Sequence, residues 1–255
     1  MKIIRLLWPL CLLLCLHCTG GKDRTAWKDE GILRIGTDAT YPPFEMANTA
    51  TGRLEGFDID VITAVCERNG WKTEFIETPF DGIISGLKGD KYDCIISAMT
   101  ITPQREAIVE FSQPYYLAGQ VVAVPESDSL IRSVEDLKGK KVGVQLGTTG
   151  EKMAKSLSGL SVFSFDNIGA AFIDMENGQI DAVLNDWPTT REYIRLKGMA
   201  KTVGEILSRE NYGIAVARGQ DELLSLINAA IDSMRAEGIF TELELKWFGN
   251  PSPVE

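Results

Sequence analysis

Short apolar runs alternate with amphipathic stretches along most of this chain, and this alternation restricts its fold more than any other feature. The run ILRIG at 32–36 predicts a strand, residues 58–70 predict a helix, and KTEFI at 72–76 predicts a second strand. A further helix over 80–89 and a strand over 92–97 complete the cycle. Strands that alternate with helices form βαβ units around a parallel sheet. The pattern therefore predicts an α/β fold.

The same order of elements occurs a second time in the later part of the chain. The run LRIGTDAT near the start is echoed by VGVQLGTT, and each is a strand that leads into a Gly-Thr loop. We predict two lobes of one design. The predicted elements of the second cycle are a strand at 140–144, a helix from about Thr149, a strand at 161–165, a helix at 167–178, a strand at 181–185 and a helix from Trp187.

Two extended segments, 116–124 and 206–216, connect the predicted lobes. They are apolar and rich in β-forming residues, and they would carry the chain out of the first lobe and back again. Paired strands of this kind are natural hinges. We place lobe 1 at 31–117 with 212–255, and lobe 2 at 118–211.

The first 17 residues predict a secretion signal. An apolar stretch at 6–16 follows two cations, and it is too short to cross a bilayer as a helix. The tail CLHCTGG resembles a bacterial lipoprotein signal, in which Cys18 would be lipidated and become the first residue of the mature protein. Simple cleavage nearby is the alternative. Residues 18–30 are predicted to be a leader or linker.

Side-chain chemistry excludes several classes of function. The one histidine, His17, lies in the predicted signal, so the mature chain would lack imidazole bases and histidine metal sites. The spacing of Cys66 and Cys94 fits no zinc motif, and their apolar surroundings predict buried free thiols. We therefore predict no metal site.

Charge and glycine motifs exclude nucleic acids and nucleotides. Loss of the signal would change the net charge from −10 to −12, which disfavours nucleic acid and anionic membranes as partners. The chain contains neither of the glycine-rich phosphate-binding motifs GxxxxGK[ST] and GxGxxG. We predict no cofactor.

Polar and aromatic side chains follow the predicted strands, where ligands bind in open α/β sheets. Taken singly, each has an ordinary role as a cap, loop or packing residue, but their joint placement indicates one ligand site. These residues are Thr37, Asp38, Tyr41, Phe80, Ser97, Thr100, Arg105, Gly147, Thr148, Thr149, Asn185 and Asp186.

Arg105 is the most informative of these residues. Thr102 and Pro103 predict a helix start, which puts Arg105 at the third helical position, where a cation opposes the helix dipole. A bound carboxylate would be attracted by both positive sources. Asp38 and Asp186 supply one negative charge on each lobe. Together these charges fit the carboxylate and ammonium of an α-amino acid.

Seven segments carry a resemblance to a known family. Over nearly all of the predicted mature chain, the sequence resembles the periplasmic substrate-binding proteins of ATP-driven polar amino-acid importers. The resemblance implies a type II periplasmic-binding-protein fold, in which two lobes, each a mixed sheet flanked by helices, are joined by two crossing strands. The segments are IGTDATYPPFE (35–45), GFDIDVITAV (56–65), YDCIISAMTITPQRE (92–106), FSQPYY (111–116), VGVQLGTTGE (142–151), IDAVLND (180–186) and KWFG (246–249).

The resemblance also implies how the backbone of an amino-acid ligand would be held. Arg105 would bind the carboxylate in a bidentate pair, assisted by Thr100 and Thr149. Asp186 would take the ammonium, and Ser97 would assist it.

The same resemblance leaves the ligand side chain open. Tyr41 and Phe80 match aromatics that sandwich the side chain, and Asp38 matches an acid at its far end. Ala98 stands where binders of basic amino acids have serine, and Gln145 stands where some members have leucine. The candidate ligands are Arg, Lys, His, Gln and cystine, because Asp38 would repel an acidic side chain.

We therefore expect a monomeric extracytoplasmic protein that captures a polar or cationic amino acid and delivers it to the permease of an ABC transporter, with no chemical reaction. One alternative is a dehydratase of carboxylated cyclohexadienes on the same fold, which would need a carboxylic acid with a raised pKa in place of the ammonium-binding Asp186. A second alternative is a sensor that signals through a separate partner.

Overall fold

The computed structural model describes residues 26–249, which form two α/β lobes. The predicted signal, His17 and the lipidation candidate Cys18 lie outside these residues. No helix within the described range is long and apolar enough to span a bilayer. The predicted two-lobed α/β class is confirmed by the two sheets described next.

Lobe 1 is built on a five-stranded mixed sheet, with strands numbered in chain order. The strand at Ile32–Thr37 pairs in parallel with both of its neighbours, and a strand from the later part of the chain, Ala215–Val216, joins antiparallel to one of them. In spatial order the strands are β5 (Lys72–Glu77), β1 (Ile32–Thr37), β6 (Cys94–Ile95), β15 (Ala215–Val216) and β7 (Glu110–Phe111). The helices of this lobe are α1 (Ala26–Asp29), α2 (Phe57–Asn69), α3 (Phe80–Lys88), α4 (Pro103–Glu106), α8 (Asp221–Ala236) and α9 (Ile239–Phe248).

Lobe 2 repeats this design with a second five-stranded sheet. Three strands pair in parallel, and two further strands are added to them by antiparallel pairing. In spatial order they are β11 (Ser161–Phe165), β10 (Lys141–Gln145), β12 (Ala182–Asp186), β9 (Gln120–Pro125) and β13 (Ala200–Val203). The helices are α5 (Thr149–Ser156), α6 (Ile168–Glu176) and α7 (Trp187–Lys197), with a 3-10 turn at Val134–Leu137.

Two short strands cross between the lobes, as the sequence predicts. Strand β8 (Tyr116–Ala118) pairs antiparallel with β14 (Glu210–Tyr212). A small sheet of β2 (Thr40–Tyr41), β3 (Glu45–Ala47) and β4 (Leu54–Glu55) lies on lobe 1. The residue boundaries given above for the two lobes stay a prediction.

An aromatic cluster fixes lobe 1 to the crossing strands. The ring of Phe44 lies 5.0 Å from Tyr116 and 5.3 Å from both Tyr212 and Phe248, measured between centroids. Since each crossing strand contributes one tyrosine, the cluster links both strands to the segment that also carries Tyr41. Such ring contacts stabilise by about 0.5–1.5 kcal/mol each beyond the buried area.

The end of the predicted leader is folded onto lobe 1. Trp27, in α1, is 3% exposed, and its ring meets Trp71 edge-on at 5.4 Å. The sequence analysis places Trp27 in a linker because its polar neighbours mask one large apolar side chain. Cys66 and Cys94 lie in the core of the same lobe as buried free thiols.

Candidate functional site

A cleft between the lobes is lined by eleven of the fourteen residues that the sequence predicts at the ligand site, and Thr37, Gly147 and Asn185 do not line it. It lies beyond the carboxyl ends of the parallel strands, where ligands bind in open α/β sheets. The eleven residues are Asp38, Tyr41, Phe80, Ser97, Ala98, Thr100, Arg105, Gln145, Thr148, Thr149 and Asp186, and Glu45 also lines the cleft.

Arg105 is the cation of this cleft, and it is only 7% exposed. Its Nη1 donates to the carbonyl oxygen of Thr100 at 2.7 Å, and its Nη2 donates to that of Gly147, on lobe 2, at 3.2 Å. The guanidinium lies 5.1 Å from the ring centroid of Phe80. A guanidinium carries five N–H donors. Two have these acceptors within residues 26–249, so three remain for an anion.

Burial lowers the pKa of Arg105, and the nearby carboxylates of Glu210 and Asp186 partly offset this effect. The two direct acceptors are neutral carbonyl oxygens. A bound carboxylate would supply the direct charge pairing that the buried guanidinium lacks in these bonds.

Helix α4 contributes less to anion binding than the sequence analysis predicts. Thr102 is the N-cap, as predicted, and its Oγ1 accepts the backbone N–H of Arg105 at 3.3 Å. The helix spans only four residues, Pro103–Glu106. One turn aligns too few peptide groups for a large dipole. The dipole of this helix is therefore weaker than the sequence predicts, and attraction of an anion rests mainly on the Arg105 side chain.

The loop that presents Ser97 and Thr100 is held by a buried acid. Ala98 has a φ of 43°, in the left-handed region that alanine rarely adopts. Its N–H donates to Oδ2 of Asp58 at 2.7 Å, and the Tyr115 hydroxyl donates to the same oxygen at 2.9 Å. Asp58 thus stabilises the strained backbone between the two site residues.

Glu45 is a site residue that the sequence analysis misses, although it ends the motif IGTDATYPPFE. Ser97 and Thr37 donate their hydroxyl hydrogens to its two carboxylate oxygens. Burial raises its pKa well above the usual value, and the charge of Asp58 adds to the effect. Ser97 also accepts the N–H of Asp38 at 3.1 Å. Since its hydrogen is spent on Glu45, Ser97 can only accept from a ligand, as a role beside an ammonium requires.

Asp186 ends β12 and faces lobe 1. Its Oδ2 accepts the Tyr41 hydroxyl across the cleft at 2.6 Å, and its Oδ1 accepts from Nε2 of Gln120. Burial raises its pKa to about 7, and repulsion by Glu210 adds to this. Each carboxylate oxygen has a second lone pair, so an ammonium can still bind.

Asp38 and Gln145 form a contact between the two lobes in the cleft. Nε2 of Gln145 donates to Oδ2 of Asp38 at 3.0 Å, and Thr40 donates to Oδ1 at 2.8 Å. Burial raises the pKa of Asp38. A cationic ligand group can replace the amide of Gln145 on this acid.

Thr148 and Thr149 begin α5 and differ in function. The Thr148 hydroxyl accepts the N–H of Glu151 at 3.1 Å and donates to the carbonyl of Gln145 at 2.7 Å, so it caps the helix. The Thr149 hydroxyl donates to Oε2 of Glu210 at 2.6 Å.

Gln120 and Glu210 are further polar residues that the sequence analysis misses. They are 1% and 6% exposed, and they lie on or next to the crossing strands. From their sequence, these segments are predicted only to connect the lobes. A polar side chain within an apolar, β-forming run is the sequence signal that could have identified them. Such a side chain is buried only where it has hydrogen-bond partners.

The lobes are closed on one another. Bonds of Tyr41 with Asp186, of Asp38 with Gln145 and of Arg105 with Gly147 all cross the cleft. The last contact needs glycine, because φ of Gly147 is +79° and an added Cβ would lie 3.1 Å from Cα of Asp81 on lobe 1.

The sequence also matches a family of known role. The model of the bacterial extracellular solute-binding proteins, family 3, matches residues 33–250. This chain belongs to that family. This membership confirms the predicted resemblance. Because the family is extracellular, the protein acts outside the cytoplasm.

Named relatives of this family 3 protein are amino-acid-binding proteins. It is 32% identical over 225 residues to the L-cystine-binding protein of Escherichia coli K12, covering 87% of this chain and 84% of the relative. It is 34% identical over 222 residues to ABC transporter arginine-binding protein 1 of the same organism, covering 85% and 90%.

A solved structure of an ancestral arginine-binding protein bound to glutamine is also similar. It has a TM-score of 0.83 and 45% identity, and the match covers 86% of this chain and 99% of that one. The two-lobed binding-protein fold is thereby confirmed, and these relatives do not favour the dehydratase alternative.

Proposed function

We propose that this protein captures a polar or cationic amino acid outside the cytoplasmic membrane and delivers it, as a monomer, to the permease of an ABC importer. The observation that carries the proposal is the arrangement of charge in the cleft. One buried guanidinium, that of Arg105, shares the cleft with the carboxylates of Asp38, Glu45 and Asp186. A further carboxylate, that of Glu210, accepts hydrogen bonds from Thr100 and Thr149 next to the cleft.

A zwitterion complements this arrangement. Its carboxylate would pair with the three remaining donors of Arg105, and its ammonium would bind between Asp186 and the acceptor oxygen of Ser97. The Arg105–Asp186 attraction also spans the cleft, so a ligand between them would hold the lobes together. The ligand is bound and released unchanged.

The excess of acids favours a ligand with a positive side chain. Asp38 lines the same cleft and offers a carboxylate for a cationic side chain, and the aromatic rings of Tyr41 and Phe80 offer faces for an aliphatic or planar group. Relatives named for arginine and cystine, and an ancestral protein bound to glutamine, keep Arg, Lys, His, Gln and cystine as candidates. An aspartate or glutamate ligand would add a negative charge beside Asp38.

Calorimetry with the twenty amino acids and cystine tests the proposal, after bound ligand has been removed by unfolding and refolding. We expect at least one polar or cationic amino acid to bind with micromolar affinity or tighter, about −8 kcal/mol. Asp38→Asn should weaken binding of arginine or lysine about tenfold more than binding of glutamine. Tightest binding of aspartate or glutamate, or an equal effect of Asp38→Asn on every ligand, would contradict the assignment.

The protein would work at the outer side of the membrane. It would either be released after cleavage of the signal or be held there by a lipid on Cys18, a residue outside the described range.

A further inference from the structure

Glu210 is a buried acid on the second crossing strand. It lies on β14, and its backbone is paired with Ala118 of β8. Only 6% of the residue is exposed. Glu210 is therefore located at the hinge, where the chain passes between the lobes.

One carboxylate oxygen of Glu210 joins the two lobes. Its Oε2 accepts the hydroxyl of Thr100, on lobe 1, at 2.8 Å, and the hydroxyl of Thr149, on lobe 2, at 2.6 Å. Its Oε1 accepts the hydroxyl of Ser208 at 2.8 Å, and Ser208 in turn accepts the N–H of Gln120 at 3.0 Å. Both crossing segments thus fix the position of the carboxylate.

These bonds use the hydrogens that a ligand carboxylate would need. A hydroxyl has one hydrogen. While Thr100 and Thr149 donate to Glu210, neither can donate to a ligand. This differs from the role that the family resemblance implies for the two threonines. In the closed arrangement their hydroxyl groups connect the lobes through Glu210.

We propose that Glu210 is a positioning residue that stabilises the closed lobes by holding Thr100 and Thr149 on one carboxylate oxygen. Hydrogen bonds to an ionised acceptor are about twice as strong as neutral ones. Apparent affinity scales with the fraction of protein in the binding-competent form. Glu210 therefore affects every ligand alike, whereas Asp38 distinguishes between side chains. The effect on affinity rests on the proposed function, but the effect on closure does not.

Small-angle X-ray scattering and calorimetry on three variants test this role. Glu210→Ala should raise the radius of gyration without ligand and weaken binding of every amino-acid ligand by one common factor, about 10- to 100-fold. Glu210→Gln keeps an acceptor oxygen, so its affinity for amino acids should fall by about tenfold or less. Glu205→Gln removes an exposed charge from the same segment and should match the wild type.

Two results would overturn the role of Glu210: scattering of Glu210→Ala identical to wild type, or a loss of affinity that differs between ligands.

If Glu210→Ala does not fold, Thr149→Val breaks the lobe 2 half of the contact and should open the lobes similarly. Where both variants fold, the double variant that combines Glu210→Ala with Thr149→Val should lose less binding free energy than the sum of the two single losses. Fully additive losses would overturn the proposal. If no amino acid binds the wild type, the proposed function fails while scattering still tests Glu210.

Discussion

Replacing Arg105 by alanine should weaken amino-acid binding by at least about 30-fold and leave the protein folded. Among the cleft residues in the described part of the chain, 26–249, Arg105 is the only arginine or lysine. Truncating one partner of a buried charge pair costs about 2–5 kcal/mol, which weakens binding roughly 30-fold or more. The two acceptors that Arg105 leaves behind are carbonyl oxygens, which water can satisfy. Calorimetry measures the loss, and circular dichroism of thermal unfolding checks the fold.

Arg53→Ala is the matched control for this variant. Arg53 is exposed on the same lobe, so its replacement removes an equal charge far from any buried contact. Wild-type affinity in Arg105→Ala would exclude a carboxylate partner for this guanidinium.

Asp186→Asn should weaken binding and remove most of its pH dependence near neutrality. Burial, together with repulsion by Glu210, raises the pKa of Asp186 to about 7 in the free protein. An ammonium binds the ionised carboxylate. Affinity of the wild type should therefore be constant above about pH 7 and fall towards tenfold per pH unit below it, because binding must then expel a proton. Asparagine has no proton to expel.

Titrations with one neutral polar amino acid between pH 5.5 and 8 measure this difference. A neutral side chain limits the contribution of Asp38, whose pKa is also raised by burial. Glu176→Gln, which changes an exposed acid on lobe 2, should keep the wild-type pH profile. If Asp186→Asn kept that profile too, or bound des-amino analogues and amino acids equally, another group would hold the ammonium.

The architecture could be predicted from the sequence because its signals are local. Strand β1 and helix α2 each bury apolar side chains at the spacing that their sequence predicts. Gly70 caps the end of α2, and its φ of 73° suits glycine. Most site residues could be predicted because they lie at the end of a strand or in the segment that follows it. Their convergence then depends on the parallel order of the strands, which the βαβ pattern already implies.

The acids behind the site could not be predicted in this way, because their partners are distant in the chain. Glu45 bonds Ser97, 52 positions away, and Glu210 bonds Thr100, 110 positions away. The direction of a hydroxyl hydrogen depends on such contacts. The sequence could therefore suggest Thr100 and Thr149 as donors, but it could not show that Glu210 takes their hydrogens.

A crystal structure of the protein with a bound amino acid would decide whether the cleft holds a zwitterion between Arg105 and Asp186. We predict the ligand carboxylate in a bidentate pair with the Arg105 guanidinium and the ammonium within hydrogen-bond distance of an Asp186 oxygen. A ligand bound with these ends exchanged, or an Arg105 side chain that faces solvent away from the ligand, would show that the cleft works by other contacts.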